Sequence, residues 1–376
     1  MVRPRPVIGL VAALPVESAA ARLMVDELEV ARAPGDSNLY HVGQVPSRTV
    51  GRPHRVALAT QVQDGTRHAA ALATAMARSF PSLRHIVMSG IAAGIPLSAD
   101  GSREIRLGDV VTTAEGLVDY GSLRITDDSA QLRRPVDGLS RVMLRADREL
   151  AAREVLGDLP WLDLVDRLAD QAPPTLRRPE PGRPRVHRTT VASADWLVRN
   201  AGIRDGLADR FGVRAVEMEG SGIAVGTDLQ GLDWYMVRGI SDFADAAKAD
   251  RWHGYAALVA AAYTRALLGE VQPVGAGPER QHSDGLGEIV NSLLSIPLMR
   301  DDLQRRAVLA ALPGSIRAQI PDNQVGRLHV LALVQTCQRF PDGDTALLAA
   351  LELVLGEESE ELSRVAQAVE QYWPLL

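Results

Sequence analysis

Lysine and cysteine are almost missing from this chain. Its 376 residues include a single lysine, Lys248, and a single cysteine, Cys337. A lone cysteine excludes an intrachain disulfide and a cysteine metal cluster, and its apolar helical surroundings are typical of a small core residue. We therefore expect a protein of the reducing cytoplasm.

Concentrated positive charge and long apolar runs are also missing. The formal net charge is −6, and a nucleic-acid partner generally requires a dense basic face. No apolar run reaches the roughly 20 residues that span a bilayer. The N-terminal segment MVRPRPVIGLVAALPVES has arginines ahead of an apolar stretch, as secretory signals do, but it passes into Glu17 and not into a cleavage site. The sequence thus predicts a first strand there, with neither a nucleic-acid nor a membrane partner.

The residues that are abundant predict two folded domains. Apolar residues make up 46% and charged residues 23%, which is typical of a globular protein with a proper core. The length exceeds what one ordinary core accommodates. We assign residues 1–270 to an α/β domain, the Gly- and Pro-rich segment 271–284 to a linker, and residues 285–376 to an all-α helical bundle.

Strand-like apolar segments alternate with helical ones across the α/β domain. The predicted helices include residues 16–28, 66–78 and 255–268. This alternation indicates a central sheet that is buried on both faces. Residues 171–188 concentrate prolines and arginines, and they form either a solvated loop or an arm that reaches a phosphate-bearing ligand.

The C-terminal region carries apolar residues at helical spacing, with prolines at the breaks. About five or six short helices fit this pattern, which predicts a compact bundle. The region holds twelve acidic residues against seven arginines, so it carries most of the net negative charge. It contains no combination of side chains that suggests catalysis.

Three predicted strands end in a carboxylate or a glycine turn, where α/β proteins build their sites. Glu17 follows the first strand, SGIAAG (89–94) the third, and the pair Ser241 and Asp242 the last. Taken singly, these features have ordinary explanations as a helix N-terminal carboxylate, a tight turn and a helix cap. The glycines of the turn could also bring a ligand close to the backbone, although the G-x-G-x-x-G spacing of a dinucleotide site is missing.

Taken together, these segments resemble a known superfamily. VIGLVAALPVES, MSGIAAGI, LGDVVTTAEGLVDYG, AVEMEGSGIA and VRGISDFAD occur in the order found in the purine nucleoside phosphorylase/uridine phosphorylase superfamily, and within it in the 5′-methylthioadenosine/S-adenosylhomocysteine nucleosidases. The resemblance covers residues 7–268. It implies a three-layer α/β fold around a central mixed sheet, a homo-oligomer in which a neighbouring chain often completes the site, and no metal or other cofactor.

The resemblance also implies an activity and its catalytic residues. Cleavage of a purine N-glycosidic bond needs an acid for the leaving base, a group that holds the ribose hydroxyls, and an activated nucleophile. By position, Asp242 matches the acid at purine N7, Glu219 the carboxylate that binds the hydroxyls, and Glu17 the carboxylate that activates water. An aspartate that keeps its proton until the substrate arrives requires a pocket that excludes water.

Further positions of this chain match substrate-binding residues of the family. Ser241 is expected to orient Asp242, Met218 to pack on the sugar, and Glu217 to support the site from behind. The remaining matched positions lie in the glycine turn and in the base-stacking segment: Ile91, Ala93, Gly94, Asp195, Trp196 and Leu197. Ile91 and Ala93 replace the serine and second glycine that the family has in this turn.

Water is predicted to be the nucleophile in preference to phosphate. The phosphorylase branch presents arginines from the first-strand turn and from the strand before the glycine turn, where this chain has AALPVE and Met88. Without those cations a phosphate would lose charge-assisted hydrogen bonds worth ~1.5–3 kcal/mol each. The alternatives are a phosphate-dependent phosphorylase and a non-catalytic nucleoside sensor that signals through the helical tail.

The 5′ group of the substrate stays open between methylthioadenosine-, adenosine- and ATP-like compounds. A polyphosphate could meet His41, His54, Arg67, Arg251 or the arginines of residues 171–188, although each of these is also compatible with a solvated surface.

Residues 286–373 resemble effector-associated domains, which are small death-like adaptor modules fused to enzymes in bacterial conflict and defence systems. This resemblance implies contact with a matching domain of a protein partner and a role in antiviral defence. The alternative is a bundle that only stabilises the enzyme or its oligomer.

Overall fold

A computed structural model describes residues 5–96, 104–125, 130–132, 136–246, 250–274, 285–321, 326–340, 342–356 and 359–373. The chain divides into two compact units, Met1–Glu279 and Arg280–Leu376. The division falls inside the proposed linker, of which residues 275–284 lie outside the described part of the chain.

The first unit is built on a mixed sheet of eleven strands. In chain order the strands are β1 (Ile8–Ala12), β2 (Asp26–Ala31), β3 (Tyr40–Val45), β4 (His54–Thr60), β5 (His85–Gly94), β6 (Val110–Thr112), β7 (Leu117–Asp119), β10 (Val186–Arg188), β11 (Val191–Ser193), β12 (Ala215–Glu217) and β13 (Asp233–Asp242). The main path runs β10-β6-β13-β5-β1-β4-β3-β2. Beside this path, β12 pairs with the end of β5 and with β11, and β11 in turn pairs with β7. A separate two-stranded antiparallel sheet pairs β8 (Leu123–Ile125) with β9 (Ala130–Leu132).

The described residues of the first unit also form seven α-helices, of which α7 follows the last strand. They are α1 (Pro15–Leu23), α2 (Thr66–Ser79), α3 (Arg141–Val155), α4 (Pro160–Gln171), α5 (Ala201–Phe211), α6 (Gly220–Asp228) and α7 (His253–Gly269). The predicted helices 66–78 and 255–268 agree with α2 and α7 to within two residues. The predicted helix 16–28 is too long, because the chain leaves α1 after Leu23 and pairs β2 with β3.

The sheet is buried between two layers of helices. Along β1, Leu10 faces a core that includes residues of α1, α3, α4 and α7, whereas Val11 faces a core shared with α2 and α6. Val87 and Met88 alternate in the same way on β5. This period-two alternation confirms the predicted three-layer α/β fold with a central mixed sheet.

Close helix contacts in this fold depend on two glycines. A β carbon on Gly222 of α6 would overlap the backbone carbonyl of Thr66 at the start of α2. One on Gly239 of β13 would overlap the carbonyl of Ala256 in α7. Gly222 therefore permits close packing of α6 against the start of α2.

The second unit is all-α, as predicted. Its described residues form α8 (Gly285–Ser295), α9 (Pro297–Arg300), α10 (Asp302–Ala311), α11 (Gly314–Arg317), α12 (Gly326–Cys337), α13 (Gly343–Leu355) and α14 (Glu360–Tyr372). The prediction of five or six helices was slightly low, because α9 and α11 are single turns set off by Pro297 and Pro313. Cys337 lies in the core of this unit, where burial raises the pKa of its thiol to about 11.

In the described part of the chain, no helix combines the length and the apolar character that crossing a bilayer requires.

Candidate active site

The ends of three neighbouring strands bring the predicted site together. β1 and β13 both run parallel to β5, so the carboxyl ends of all three lie at one edge of the sheet. Glu17 follows β1, and Asp242 is the last residue of β13. β12 pairs antiparallel with the end of β5, which brings Glu219, just beyond β12, to the same edge.

A cavity of about 210 Å³ opens at this edge. Ten of the twelve predicted site residues line it: Glu17, Ile91, Ala93, Trp196, Leu197, Glu217, Met218, Glu219, Ser241 and Asp242. Glu17 and Asp242, which are 225 residues apart in the sequence, therefore border the same cavity. The cavity is mixed in character, with carboxylates at its base and apolar side chains around them.

The two other predicted substrate-binding residues have structural contacts instead. A β carbon on Gly94 would lie 2.7 Å from Ile105 and 2.8 Å from Ile240, so this glycine permits close core packing. The Asp195 Oδ1 atom accepts a hydrogen bond of 2.5 Å from the backbone N–H of Thr66 at the start of α2. Helix N-termini favour such a carboxylate because their first N–H groups lack partners within the helix.

Beneath the cavity lies Arg238, a residue that the sequence interpretation did not single out. Its side chain is 1% exposed in the middle of β13. The guanidinium contacts Glu217, donates to Glu219 Oε2 at 3.0 Å, and lies 3.6 Å from Glu17 Oε1. Burial alone lowers the pKa of Arg238, but these three carboxylates outweigh it and raise the pKa overall.

Glu17 is held by backbone N–H groups as well as by Arg238. Its Oε2 accepts from Ala13 at 2.6 Å and from Leu14 at 3.0 Å, and its Oε1 accepts from Ile91 at 2.7 Å. A β carbon on Gly90 would overlap both Glu17 and Arg238. The first glycine of SGIAAG thus makes room for the protein's own ion pair, whereas we had expected it to admit a ligand.

Glu217 and Glu219 differ in how their carboxylates are used. Both oxygens of Glu217 accept from Gly220 N–H, at 2.9 and 3.0 Å, and Oε2 also accepts from Glu219 N–H at 3.0 Å. Glu217 therefore caps the start of α6, and its side chain also borders the cavity. Glu219 accepts one backbone bond, from Gly65 at 3.1 Å, and one bond from Arg238. Lone pairs of Glu219 stay available to a ligand in the cavity.

The environment of Glu219 disfavours its charged form. Burial raises its pKa from the ordinary 4.5 to about 7; Arg238 opposes this shift, while the charges of Glu217 and Glu17 add to it. A carboxyl whose pKa rises on folding makes the folded state less stable once the pH exceeds its unfolded value.

Glu219→Gln is therefore expected to increase the free energy of unfolding by about 2–3 kcal/mol at pH 8, because each pKa unit corresponds to ~1.4 kcal/mol. The gain should shrink as the pH falls towards 5, where the wild-type carboxyl is neutral in the folded state. Urea unfolding at several pH values measures it, and the exposed Glu115→Gln serves as the control. A difference between Glu219→Gln and wild type that does not change with pH would contradict this prediction.

Asp242 is fixed at both carboxylate oxygens. A β-bulge between Ile240 and Asp242 sets Ser241 out of register with β5, and bulges commonly redirect side chains next to active sites. The Ser241 hydroxyl donates to Asp242 Oδ2 at 2.9 Å, and the Ala244 N–H donates to Oδ1 at 2.9 Å. The hydrogen bond from Ser241 to Asp242 is the contact that the predicted orienting role of the serine requires.

An exposed aromatic wall borders the same cavity. Trp196 is 58% exposed, and Leu197 beside it is 68% exposed. Tyr120 packs edge-on against the Trp196 ring, with a centroid distance of 5.8 Å. A flat base could stack on such a surface.

The cations suggested for a polyphosphate lie elsewhere among the described residues. His54 is buried, with Nε2 3.2 Å from the carbonyl of Leu268. Arg178 lies over the rings of Trp252 and Tyr255, at 5.1 and 5.0 Å. Arg67 lies 3.8 Å from Asp195, Arg251 pairs with Glu180, and His41 lies on β3.

Five further ionisable side chains border the described cavity in addition to the predicted carboxylates, and the sequence interpretation assigned them no role. They are Asp64, Arg199, Asp245, Asp250 and His253. Arg199 lies two residues beyond Leu197 of the base-stacking segment, and this position was the one available signal. The others lie on loops whose spatial neighbours local sequence does not reveal.

Two family models match this chain. The model described as Phosphorylase superfamily matches residues 7–268, and the model described as Effector-associated domain 2 matches residues 290–370. A solved structure of the 5′-methylthioadenosine/S-adenosylhomocysteine nucleosidase from Neisseria meningitidis, bound to methylthio-immucillin-A, aligns with a TM-score of 0.52. It is 19% identical in sequence, and the alignment covers 70% of this chain and 98% of that one, so it supports the fold.

Several curated proteins are similar in sequence. A nucleotide-binding leucine-rich repeat (NLR)-like protein of Hyaloscypha variabilis is 29% identical over 73% of this chain and 30% of its own length. The ATP nucleosidase Cap17 of Escherichia coli is 26% identical over 70% of this chain and 51% of its own. The 5′-methylthioadenosine/S-adenosylhomocysteine nucleosidase of Mycobacterium tuberculosis is 27% identical over 69% and 95%. The chain thus spans about a third of the first relative and about half of the second.

Proposed function

This chain belongs to the phosphorylase superfamily, and on that premise we propose that its first unit is a purine nucleosidase. It would hydrolyse the N-glycosidic bond of a purine nucleoside or nucleotide and release the free base. The observation that carries the proposal is the convergence of Glu17, Glu219 and Asp242, from three separate segments, on one cavity.

The reaction divides among these three carboxyl groups. Asp242 donates its proton to N7 of the purine, so that the electrons of the breaking C–N bond pass to a neutral leaving base. Glu219 accepts hydrogen bonds from the ribose hydroxyls, which strengthen as positive charge develops on the sugar. Glu17 takes a proton from a water molecule as that water adds to C1′ of the oxocarbenium-like sugar.

The charge around the cavity favours water over phosphate as the nucleophile. Asp64, Asp245 and Asp250 border the cavity in addition to the carboxylates at its base. Arg199 is the one arginine in the described wall, and Arg238 already contacts three carboxylates. A phosphate dianion at the sugar would meet more negative than positive charge.

The two units together suggest a biological role. A relative of this chain is named an ATP nucleosidase, and the second unit matches an effector-associated domain. We propose a cytoplasmic homo-oligomeric effector that depletes a purine nucleoside or nucleotide pool during antiviral defence, after its helical unit meets a matching domain of a partner. Arg199 is the cavity residue best suited to contact a 5′ phosphate.

The test is to incubate the purified full-length protein with adenosine, methylthioadenosine, AMP and ATP, with and without phosphate, and to separate the products by chromatography. We expect free adenine without added phosphate and its loss in Asp242→Asn. Asp209→Asn, on the exposed surface of α5, is the matched control and should behave as wild type.

Two outcomes would overturn this function. Adenine that appears only with phosphate, together with a sugar phosphate, would identify a phosphorylase. A sensor would be identified by a different result. The wild type would release no base, and ligand binding would trigger contact with a partner equally in the wild type and in Asp242→Asn.

A further inference from the structure

The turn that follows Asp242 adopts an unusual backbone conformation. Ala244 has φ +52°, and it is one of two non-glycine residues with a positive φ in the described chain. Side chains with a β carbon seldom adopt this left-handed region unless the surroundings hold them there, and such residues cluster at functional sites. Ala244 is 2% exposed, and its N–H donates to Asp242 Oδ1.

An arginine from a different element holds this turn. Arg204 of α5 is 9% exposed, and its Nη1 donates to the carbonyl oxygen of Phe243 at 2.8 Å. Its Nε donates to Asp205 at 2.7 Å, which fixes the guanidinium from the other side. Arg204 therefore links α5 to the carbonyl oxygen of Phe243, which lies next to the Ala244 N–H that contacts Asp242.

The two contacts share one peptide group. The carbonyl of Phe243 and the N–H of Ala244 belong to the same peptide unit, which is planar and rotates as a whole. Arg204 binds its oxygen while Asp242 binds its N–H. A rotation of this peptide would break both bonds together, and it would turn the carbonyl dipole towards Asp242.

We propose that Arg204 is a positioning residue for Asp242: by holding the Phe243–Ala244 peptide in its strained orientation, it keeps the aspartate aimed at the leaving base. The cationic guanidinium also polarises the peptide and strengthens its N–H as a donor. This inference rests on the proposed role of Asp242 as the acid. Without Arg204, Ala244 relaxes to a negative φ, and the hydrogen bond to Asp242 is lost.

The experiment compares two substrates in full-length Arg204→Met. One is a purine nucleoside that the wild type cleaves, and the other is p-nitrophenyl β-D-ribofuranoside, whose leaving group departs without a proton. We expect kcat for the purine substrate to fall about 10- to 100-fold, because general acid catalysis depends on exact placement of the proton donor. Hydrolysis of the nitrophenyl substrate should change less than about twofold.

Two further variants separate positioning from a merely structural role. Arg210→Met alters an exposed arginine on the same helix and should leave both substrates unaffected. Ala244→Gly removes the cost of the positive φ, since glycine adopts it freely, so Arg204→Met/Ala244→Gly should regain at least about fivefold of the lost kcat. Arg204→Lys should retain most of the activity.

The outcomes distinguish this inference from the proposed function. The role of Arg204 would be overturned if kcat fell equally for both substrates, if it fell for neither, or if the double variant regained no kcat. In each of these cases the wild type would still release base. If the wild type does not cleave the nitrophenyl substrate, the test of Arg204 rests on the purine substrate. The deciding measurement is then the kcat that Arg204→Met/Ala244→Gly regains relative to Arg204→Met. Failure of the wild type to release any base would instead overturn the proposed function.

Discussion

Glu219→Ala is expected to lower kcat/KM for base release by about 10²- to 10⁴-fold. At pH 8, above the raised pKa of Glu219, the variant loses two hydrogen bonds from ribose hydroxyls to a charged acceptor, each worth ~1.5–3 kcal/mol. The fold should persist, because Arg238 retains Glu17 and Glu217 as partners. Initial rates, with circular dichroism to monitor folding, measure both effects.

A substrate change tests the same contact from the other side. Wild type should cleave a 2′-deoxynucleoside more slowly than its ribose counterpart, and Glu219→Ala should lose this preference because the two changes remove one shared interaction. Glu115→Ala, at an exposed position outside the cavity, is the control. A variant that kept the ribose preference would assign the hydroxyl contact to another residue.

Arg238→Met is expected to lower the free energy of unfolding of the first unit by about 3–5 kcal/mol. Removal of one partner of a buried ion pair leaves uncompensated charge in a dry site, and here three carboxylates share the lost partner. The loss should be larger at pH 8 than at pH 5.5, because the orphaned carboxylates can take up protons at the lower pH.

Urea unfolding followed by tryptophan fluorescence measures this change. Four of the five tryptophans lie within residues 1–279, so the signal mainly reports the first unit. Arg145→Met, exposed on α3, is the matched control and should stay within about 0.5 kcal/mol of wild type. Equal stability of the two variants would show that Arg238 does not hold the carboxylates together.

Two carboxylates of the candidate site attracted attention because their setting is local, and the resemblance then implied their roles. Glu17 follows an apolar strand, Asp242 ends another, and the carboxyl ends of parallel strands meet at one edge. Arg238 was not predicted, since its partners lie 19, 21 and 221 residues away in the sequence. In retrospect, an arginine inside a buried strand required anionic partners, and this was the signal available.

In the fold as well, features that depend on local sequence were predicted, whereas features that depend on tertiary contacts were not. The helix α2 was predicted closely because its apolar periodicity is sustained over several turns, and α7 because it is a long and almost continuously apolar segment that ends at a glycine. The overrun of the first helix reflects β2, an edge strand whose pairing with β3 is not encoded in its own exposed residues. The glycines of SGIAAG were recognised as sites of close approach, but which atoms approach Gly90 depends on tertiary contacts.

The position of β13 in the sheet has a consequence for biosynthesis. It is the last strand of the sheet to leave the ribosome, yet it lies at the centre between β6 and β5 and carries both Arg238 and Asp242. A nascent chain that stops before residue 233 has neither Asp242 nor the arginine that contacts Glu17, Glu217 and Glu219. The proposed active site therefore cannot assemble until β13 has been synthesised and inserted between β6 and β5.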